Sequence, residues 1–299
     1  LQDEVKKRAP KFNKPLLIYE QQKCASEQDM ISSAIRDTII HLSETNKIQR
    51  QPAPLSKLLI GLECGASDGF SGISANPAIG ACIDHLVALG GGAILSEFPE
   101  LCGVEQSLVN RCVNDETADR FIQIMRDYAA QAVAVGSGFD MNPSPGNIRD
   151  GLITDAIKSA GAAKKGGTSP IVDVLDYPEK ITKTSGLNLL CTPGNDLEST
   201  TAMAGSGANL ILFSTGLGTP TGNPVTPVLK ISSNNTLYES MSEIIDFNAG
   251  SIITGESSVQ ELGALLLDLC IECSSGKYIP CTNQMSQDDF LPWKRGVSL

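Results

Sequence analysis

Histidine is nearly missing from this sequence. His41 and His85 are the only two in 299 residues. That argues against a multi-histidine metal site and against a Ser-His-Asp triad in the chain. Both are expected to be structural. No apolar run approaches the roughly 18 residues of a membrane span. No signal-peptide pattern opens the sequence. Basic residues are also short, with 23 Lys and Arg against 34 Asp and Glu and a formal net charge of −11. Such a surface repels phosphate backbones, so nucleic acid is not an expected partner. An anionic substrate would need a local positive group or a metal to enter. Aromatic residues make up only 5% and charged residues 19%, the latter below the roughly 25% of an average soluble domain.

What is abundant is glycine, at 28 residues, with 41% apolar residues to supply a core. That balance suits a loop-rich α/β fold. Nine cysteines, an odd number scattered through apolar stretches, point to reduced thiols in the cytoplasm rather than a disulfide framework. The first residue is Leu1 and not Met, which predicts that the chain begins inside a longer protein.

Pro15 to Tyr19 predicts a short strand, and Ser26 to Leu42 a helix. Ser26 with Asp29 resembles a capping box. Ile31, Ile35, Ile39 and Leu42 recur at helical spacing on one face. Residues 1–45 are therefore expected to be the last βα unit of an upstream domain. A polar, proline-bearing linker over 46–57 follows, then a catalytic α/β domain over 58–299. In that domain strand, glycine loop and helix repeat. Strands are predicted at Leu58–Leu62, Ala93–Leu95, Ser169–Leu175, Leu187–Leu190 and Leu210–Phe213. Helices are predicted from Asn76-Pro77 to Gly90, over 117–135, over 152–164, from Leu197 to Ala204 and from about Ser257 to Ser274. Asn76 is the expected N-cap of the first of these. The fold class this implies is α/β, a mostly parallel sheet covered by helices in Rossmann-like layers with glycine-rich βα loops. Ligands in such sheets bind beyond the carboxyl ends of the strands.

Four loops carry the chemistry. Residues 62–77 (LECGASDGFSGISANP) gather Cys64, Ser67, Asp68 and Ser71 ahead of a helix whose positive end favours an anion. Residues 191–200 place Asn195 and Asp196 after a strand; capping explains one of them, not both. Residues 213–222 are rich in glycine and hydroxyls, with Lys230 at the end of the next apolar run. Residues 142–147 (NPSPGN) precede the helix that carries Lys158. An ordinary βα loop, and for Lys158 a surface charge, is the competing reading.

Taken together, GLECGASDGFSGISANPAIG (61–80), NPSPGN (142–147), SPIVDVL (169–175), GLNLLCTPGND (186–196), residues 204–216 and IIDFNAGSI (244–252) resemble the altronate and galactarate dehydratases, and the altronate branch more closely. The resemblance runs from about residue 15 to the carboxyl end. It implies a hydro-lyase that dehydrates an aldonic or aldaric acid to a 2-keto-3-deoxy acid. It implies a divalent metal, Fe2+ or Mn2+, and further N-terminal domains of the same protein. The site residues it implies are Cys64, Asp68, Glu97 and Asp196 as metal ligands, and Asp68, Lys158 and Asp196 as catalytic groups. Ser67, Ser71, Asn76, Asn147, Asn195, Thr215, Thr219 and Lys230 would hold the substrate. A homo-oligomer is possible. Two positions depart from the family pattern: Leu217 stands where an arginine is usual, and Ile157 where an acid precedes the lysine. They keep two alternatives open, a related lyase of the sulfolactate sulfo-lyase type and a homologue that binds acids without turnover.

Two further signals are discounted. Cys270, Cys273 and Cys281 suggest a metal site, but the first pair falls inside a predicted helix and reads as buried thiols. The basic end Pro292-Trp293-Lys294-Arg295 is expected to pack or to form an oligomer contact.

Overall fold

The computed structural model describes residues 2–294. The chain divides into two compact units, Leu1–Pro52 and Ala53–Leu299. In the first, helix α1 (Gln2–Arg8) precedes α2 (Glu27–Thr45), whose N-cap is Ser26, accepting from the Asp29 amide. The face of Ile31, Ile35, Ile39 and Leu42 lies on one side of α2 and is exposed; Ile39 is 57% exposed. The strand expected at Pro15–Tyr19 does not form. Among the described residues no other strand lies in this unit to pair with it, and a lone strand leaves its backbone groups without partners.

The second unit holds one sheet of seven parallel strands: β1 (Leu59–Cys64), β2 (Gly92–Leu95), β3 (Ile171–Leu175), β4 (Gly186–Leu190), β5 (Leu210–Thr215), β6 (Val228–Ser232) and β7 (Phe247–Asn248). Their spatial order is β3-β4-β2-β1-β5-β6-β7. After β1 the chain moves to β2, and only later returns to β5 on the other side. That reversal creates a crevice at the carboxyl edge, where ligands of such sheets bind. The helices of this unit are α3 (Ala75–Ala88), α4 (Glu105–Val109), α5 (Asp115–Ala134), α6 (Pro145–Arg149), α7 (Asp155–Ala163), α8 (Asp196–Ser206), α9 (Asn235–Ser240), α10 (Ser251–Thr254), α11 (Val259–Ser274) and α12 (Cys281–Gln284).

Alternation along the strands builds two cores. Ile60 and Leu62 of β1, with Leu95, Leu187 and Leu212, pack under α3, α5 and α11. Leu59, Ile94, Ile211 and Phe213 pack with Ala202 and Met203 of α8. Both faces are thus covered, which is why the central strands read as apolar runs. Phe121 and Met125 anchor α5, while Ile124 and Tyr128 pack at its margin. Trp293 packs against Tyr128 and Tyr177 at centroid distances of 5.1 and 5.4 Å; Arg295 lies outside the described residues. Cys270 and Cys273 are buried in α11, and none of the nine cysteines is joined in a disulfide. Among the described residues no helix is long and apolar enough to cross a membrane.

Helix α3 starts two residues earlier than expected. Its N-cap is Ser74, and Asn76 sits inside the first turn. Asn76 is buried there, donating to the Gly161 carbonyl at 3.1 Å and accepting from Ser214 at 2.6 Å. These distant partners, invisible in the local pattern, outweigh a capping role. Gly90, in the left-handed region at φ +90°, follows the end of the helix as expected.

Close approaches of backbone set α3 against the segment at 161–167. A Cβ on Gly72 would meet the Cα of Gly161 at 3.0 Å, and a Cβ on Gly80 would collide with the Lys164 carbonyl. Gly80→Ala is therefore expected to cost about 1–3 kcal/mol through overpacking, read as a lower urea midpoint. An unchanged midpoint would show that the segment yields freely.

Candidate active site at the carboxyl edge of the sheet

β1 ends in Glu63 and Cys64, neighbours that point to opposite faces. Across from them, β2 runs into Ser96 and Glu97. Glu97 adopts φ 64° and ψ 56°, the left-handed region, an uncommon conformation for a residue with a side chain. It turns the chain so that Glu97 and Glu100 both face inward. Glu63, Glu97 and Glu100 are all at most 4% exposed.

Two lysines offset this charge. Lys165 is fully buried; its Nζ lies 2.6 Å from Glu97 Oε2 and 2.8 Å from Cys64 Sγ. Lys158 Nζ is 2.7 Å from Glu100 Oε1 and also donates to Asn142. The Cys64 thiol donates to Glu100 at 3.1 Å. Burial works against both ammonium groups, but the surrounding acids hold each above the ordinary lysine value. Burial equally opposes ionisation of Glu100, and Lys158 and Lys165 overcome it, keeping that carboxyl below its usual range. The Cys64 thiol is pushed well up by burial and by the charges of Glu100 and Glu97.

A second group opens beside the first. One carboxyl oxygen each of Glu63, Glu97 and Asp196 lie within 4.8 Å of one another. Burial, then the Glu97 charge, drives the Glu63 carboxyl well above its usual value. Burial and the same neighbour raise Asp196 to about 7. Ser199 of α8 donates to Glu63 Oε2 at 2.6 Å. Glu63 Oε1 and Glu97 Oε1 are buried without a hydrogen-bond partner. A set of hard oxygens with two unspent acceptors fits a divalent cation. The Cys64–Glu97–Glu100 group could also hold a metal by spacing, but the two lysines already occupy its charge.

Asp196 has a second setting. It lines a cavity of ≈ 420 Å³ together with Asn195, Pro220, Thr221, Gln287 and Asp289. Gly65 lets it reach the cluster, since a Cβ there would collide with the Asp196 carboxylate.

The residues singled out in the sequence fall into separate places. Cys64, Glu97, Asp196 and Lys158 meet at the acid cluster. Asp68 does not join them. It is buried, and its carboxylate accepts from Phe70 N, Ser71 N, Ser71 Oγ, Ser233 Oγ and Asn234 Nδ2. These bonds tie the loop after β1 to the loop after β6. Asn147 donates to the Ser67 carbonyl at 2.9 Å. Asn195 caps α8, Thr215 accepts from Gly218 N, and Thr219 pairs with Thr221 at 3.0 Å. Leu217 and Ile157 are exposed, at 48% and 44%. Lys230 lies inside β6 rather than at its end. It is fully buried, its Nζ 3.2 Å from the Phe213 ring centroid and without a hydrogen-bond acceptor. Burial lowers it to about 7, against the pull of Asp196 and Glu63. Glu63, Glu100 and Lys165 were not anticipated. The i, i+3 repeat of Glu97 and Glu100 was the available signal for one of them.

A parallel α/β protein with buried acids and lysines at its carboxyl edge is the class these features define. Residues 55–298 match the family model described as D-galactarate/Altronate dehydratase, C-terminal, and the chain belongs to that family. It is 40% identical over 280 residues to an altronate dehydratase of Escherichia coli, covering 92% of this chain and 55% of that protein. It is 42% identical over 255 residues to an altronate dehydratase of Bacillus subtilis, covering 84% and 50%. A galactarate dehydratase (L-threo-forming) of Escherichia coli is 36% identical over 84% of this chain and 48% of its own length. The chain thus spans about half the length of these relatives.

The two fully buried lysines should respond in opposite ways to loss of charge. Lys165→Met leaves Glu97 unpaired and is expected to destabilise by about 3–5 kcal/mol. Lys230→Met removes an amine with no acceptor and is expected to stabilise by about 1–3 kcal/mol at neutral pH. Because the folded value of Lys230, about 7, lies below its ordinary 10.5, its charge is penalised only in the folded state. The gain from Lys230→Met is therefore full below pH 7 and fades as pH rises toward 10.5. Urea unfolding at pH 7 and pH 9.5 measures both effects. A gain that grows with pH would contradict this burial argument.

Proposed function

We propose that this chain carries the catalytic centre of a hydro-lyase that removes water from an aldonic or aldaric acid, giving a 2-keto-3-deoxy acid. The observation that carries the reading is Asp196, which belongs both to the buried acid cluster and to the wall of the cavity. The names of the altronate and galactarate dehydratases among its relatives support it.

Elimination of water needs a base at the carbon next to the carboxylate and an acid at the leaving hydroxyl. Lys158 suits the acid or the carboxylate clamp rather than the base, because Glu100 keeps it charged. Asp196 is the carboxylate that reaches the cavity, and we assign it the proton. The C–H pair becomes the new double bond as the C–O bond breaks. The hydroxyl leaves as water with a proton from Lys158, and the enol settles as the ketone.

A divalent ion, Fe2+ or Mn2+, fits the unspent oxygens of Glu63 and Glu97. Bound there it would supply positive charge to the enediolate. Asp68, in this reading, positions loops and touches neither metal nor substrate.

The protein with Mn2+ is expected to form 2-keto-3-deoxy product from a panel of aldonates and aldarates. Glu97→Gln should lower kcat/KM by at least about 100-fold, the scale of a lost acid–base or electrostatic group. Product from none of the acids, with the protein folded, overturns the dehydratase assignment. Release of sulfite from sulfolactate instead would replace it with the sulfo-lyase reaction.

A further inference from the structure

The cavity beside Asp196 has a wall that the reaction itself does not use. Gln287 and Asp289 line it, and both lie outside the acid cluster. They come from the segment after α12, which is fixed at several points. Thr282 donates to the Val228 carbonyl at 2.8 Å, Gln287 N to the Thr282 carbonyl at 2.9 Å, and Leu291 N to Thr201 at 3.0 Å. Asp289 Oδ2 accepts from Gly222 N at 3.2 Å. Gly222 permits this approach, because a Cβ there would collide with the Gln287 carbonyl. The wall is therefore held by the sheet and by α8 and is not a loose tail.

Its chemistry is one-sided. Asp289 takes part in none of the ion pairs among the described residues. Lys230, a buried amine in its field, makes no bond to it. A hydroxyl group meeting this wall finds a carboxylate to donate to and an amide beside it. A carboxylate meeting it finds a like charge with no cation between them. The volume, ≈ 420 Å³, lies in the range of small-molecule sites, so a six-carbon acid with its reacting end at Asp196 has its far end in the same space.

We propose that Asp289, with Gln287, is a specificity-determining wall that admits the uncharged hydroxymethyl end of an aldonic acid and turns away the second carboxylate of an aldaric acid. This rests on the sugar-acid reading above and adds to it a substrate class. Discrimination of this kind comes from a repulsive element as much as from an attractive one.

The test compares altronate, with one carboxylate, and galactarate, with two, on the protein with Mn2+ present. Ligand-induced thermal stabilisation and kcat/KM are read in parallel. The protein is expected to favour altronate at least tenfold by both measures. Asp289→Asn keeps an oxygen for the Gly222 amide and removes the charge. It should bring the two acids within about threefold, mainly by improving galactarate, with unfolding unchanged in the absence of ligand. Equal use of the two acids by the unaltered protein, or a preference that Asp289→Asn leaves intact, overturns the assignment while the dehydratase reading stands. Stabilisation by neither acid, with product from none of the aldonates and aldarates, removes the dehydratase reading and this wall with it.

Discussion

Lys165 is the charge on which the centre depends. Glu63, Glu97, Glu100 and Cys64 are all buried, and ionised groups are not tolerated there without partners. Lys165 touches both Glu97 and Cys64, while Lys158 answers Glu100 from α7. The other carboxyl groups respond with raised values: Glu63 and Asp196, and also Glu97, where burial and the Glu100 charge outweigh the pull of Lys165. The centre is thus divided by simple electrostatics into a part whose charge is settled and a part whose charge is open.

Placing a lysine at zero exposure requires the backbone around it to come very close to its neighbours. Gly72 and Gly161 meet backbone to backbone, and Gly80 lies against Lys164. Without those glycines the 164–167 turn would stand off from α3, and its lysine would reach water. At the end of β2 the left-handed turn at Glu97 does comparable work. The strain of that conformation, of order 1–3 kcal/mol, is offset by the Lys165 pair and by the Glu97 amide, which donates to Thr192 at 2.8 Å. Several glycines of this glycine-rich sequence thus serve a charged interior, by removing side chains where cations must pass.

Local pattern made the sheet legible. Apolar strands followed by glycine loops and helices led to a parallel α/β fold; the five strands predicted after the linker agree with β1 to β5 within a few residues, while β6 and β7 were not predicted. The exception at Pro15–Tyr19 shows the limit, since a strand needs a partner that no local pattern can supply. The site was legible in part. Cys64 and Asp196 lie in loops the sequence singled out, Lys158 on the helix after another, and Glu97 entered only with the family resemblance. Lys165 did not stand out, because Ala-Ala-Lys-Lys-Gly-Gly reads as the solvated end of a helix. Glu63 lay in the 62–77 loop without being singled out. Asp68 attracted attention as a lone acid among glycines, yet those surroundings describe equally well a carboxylate that collects amides to fix two loops together. Burial and long-range pairing separate these cases, and neither is encoded in spacing.

The division of the centre also bears on why the open part faces the cavity. Had Lys165 bordered the ligand space with its charge unspent, any anion could bind, and tight binding of the ground state adds nothing to the chemical step. Instead its charge is spent on Glu97 and Cys64, and the cavity is lined by Asp196 and Asp289. In the proposed reaction, an acid that enters would find its compensation at the carboxyl groups of Glu63 and Glu97, where the proposed divalent ion would bind. Entry of an anionic substrate into a chain with a net charge of −11 would in this way be coupled to occupation of the proposed cation site.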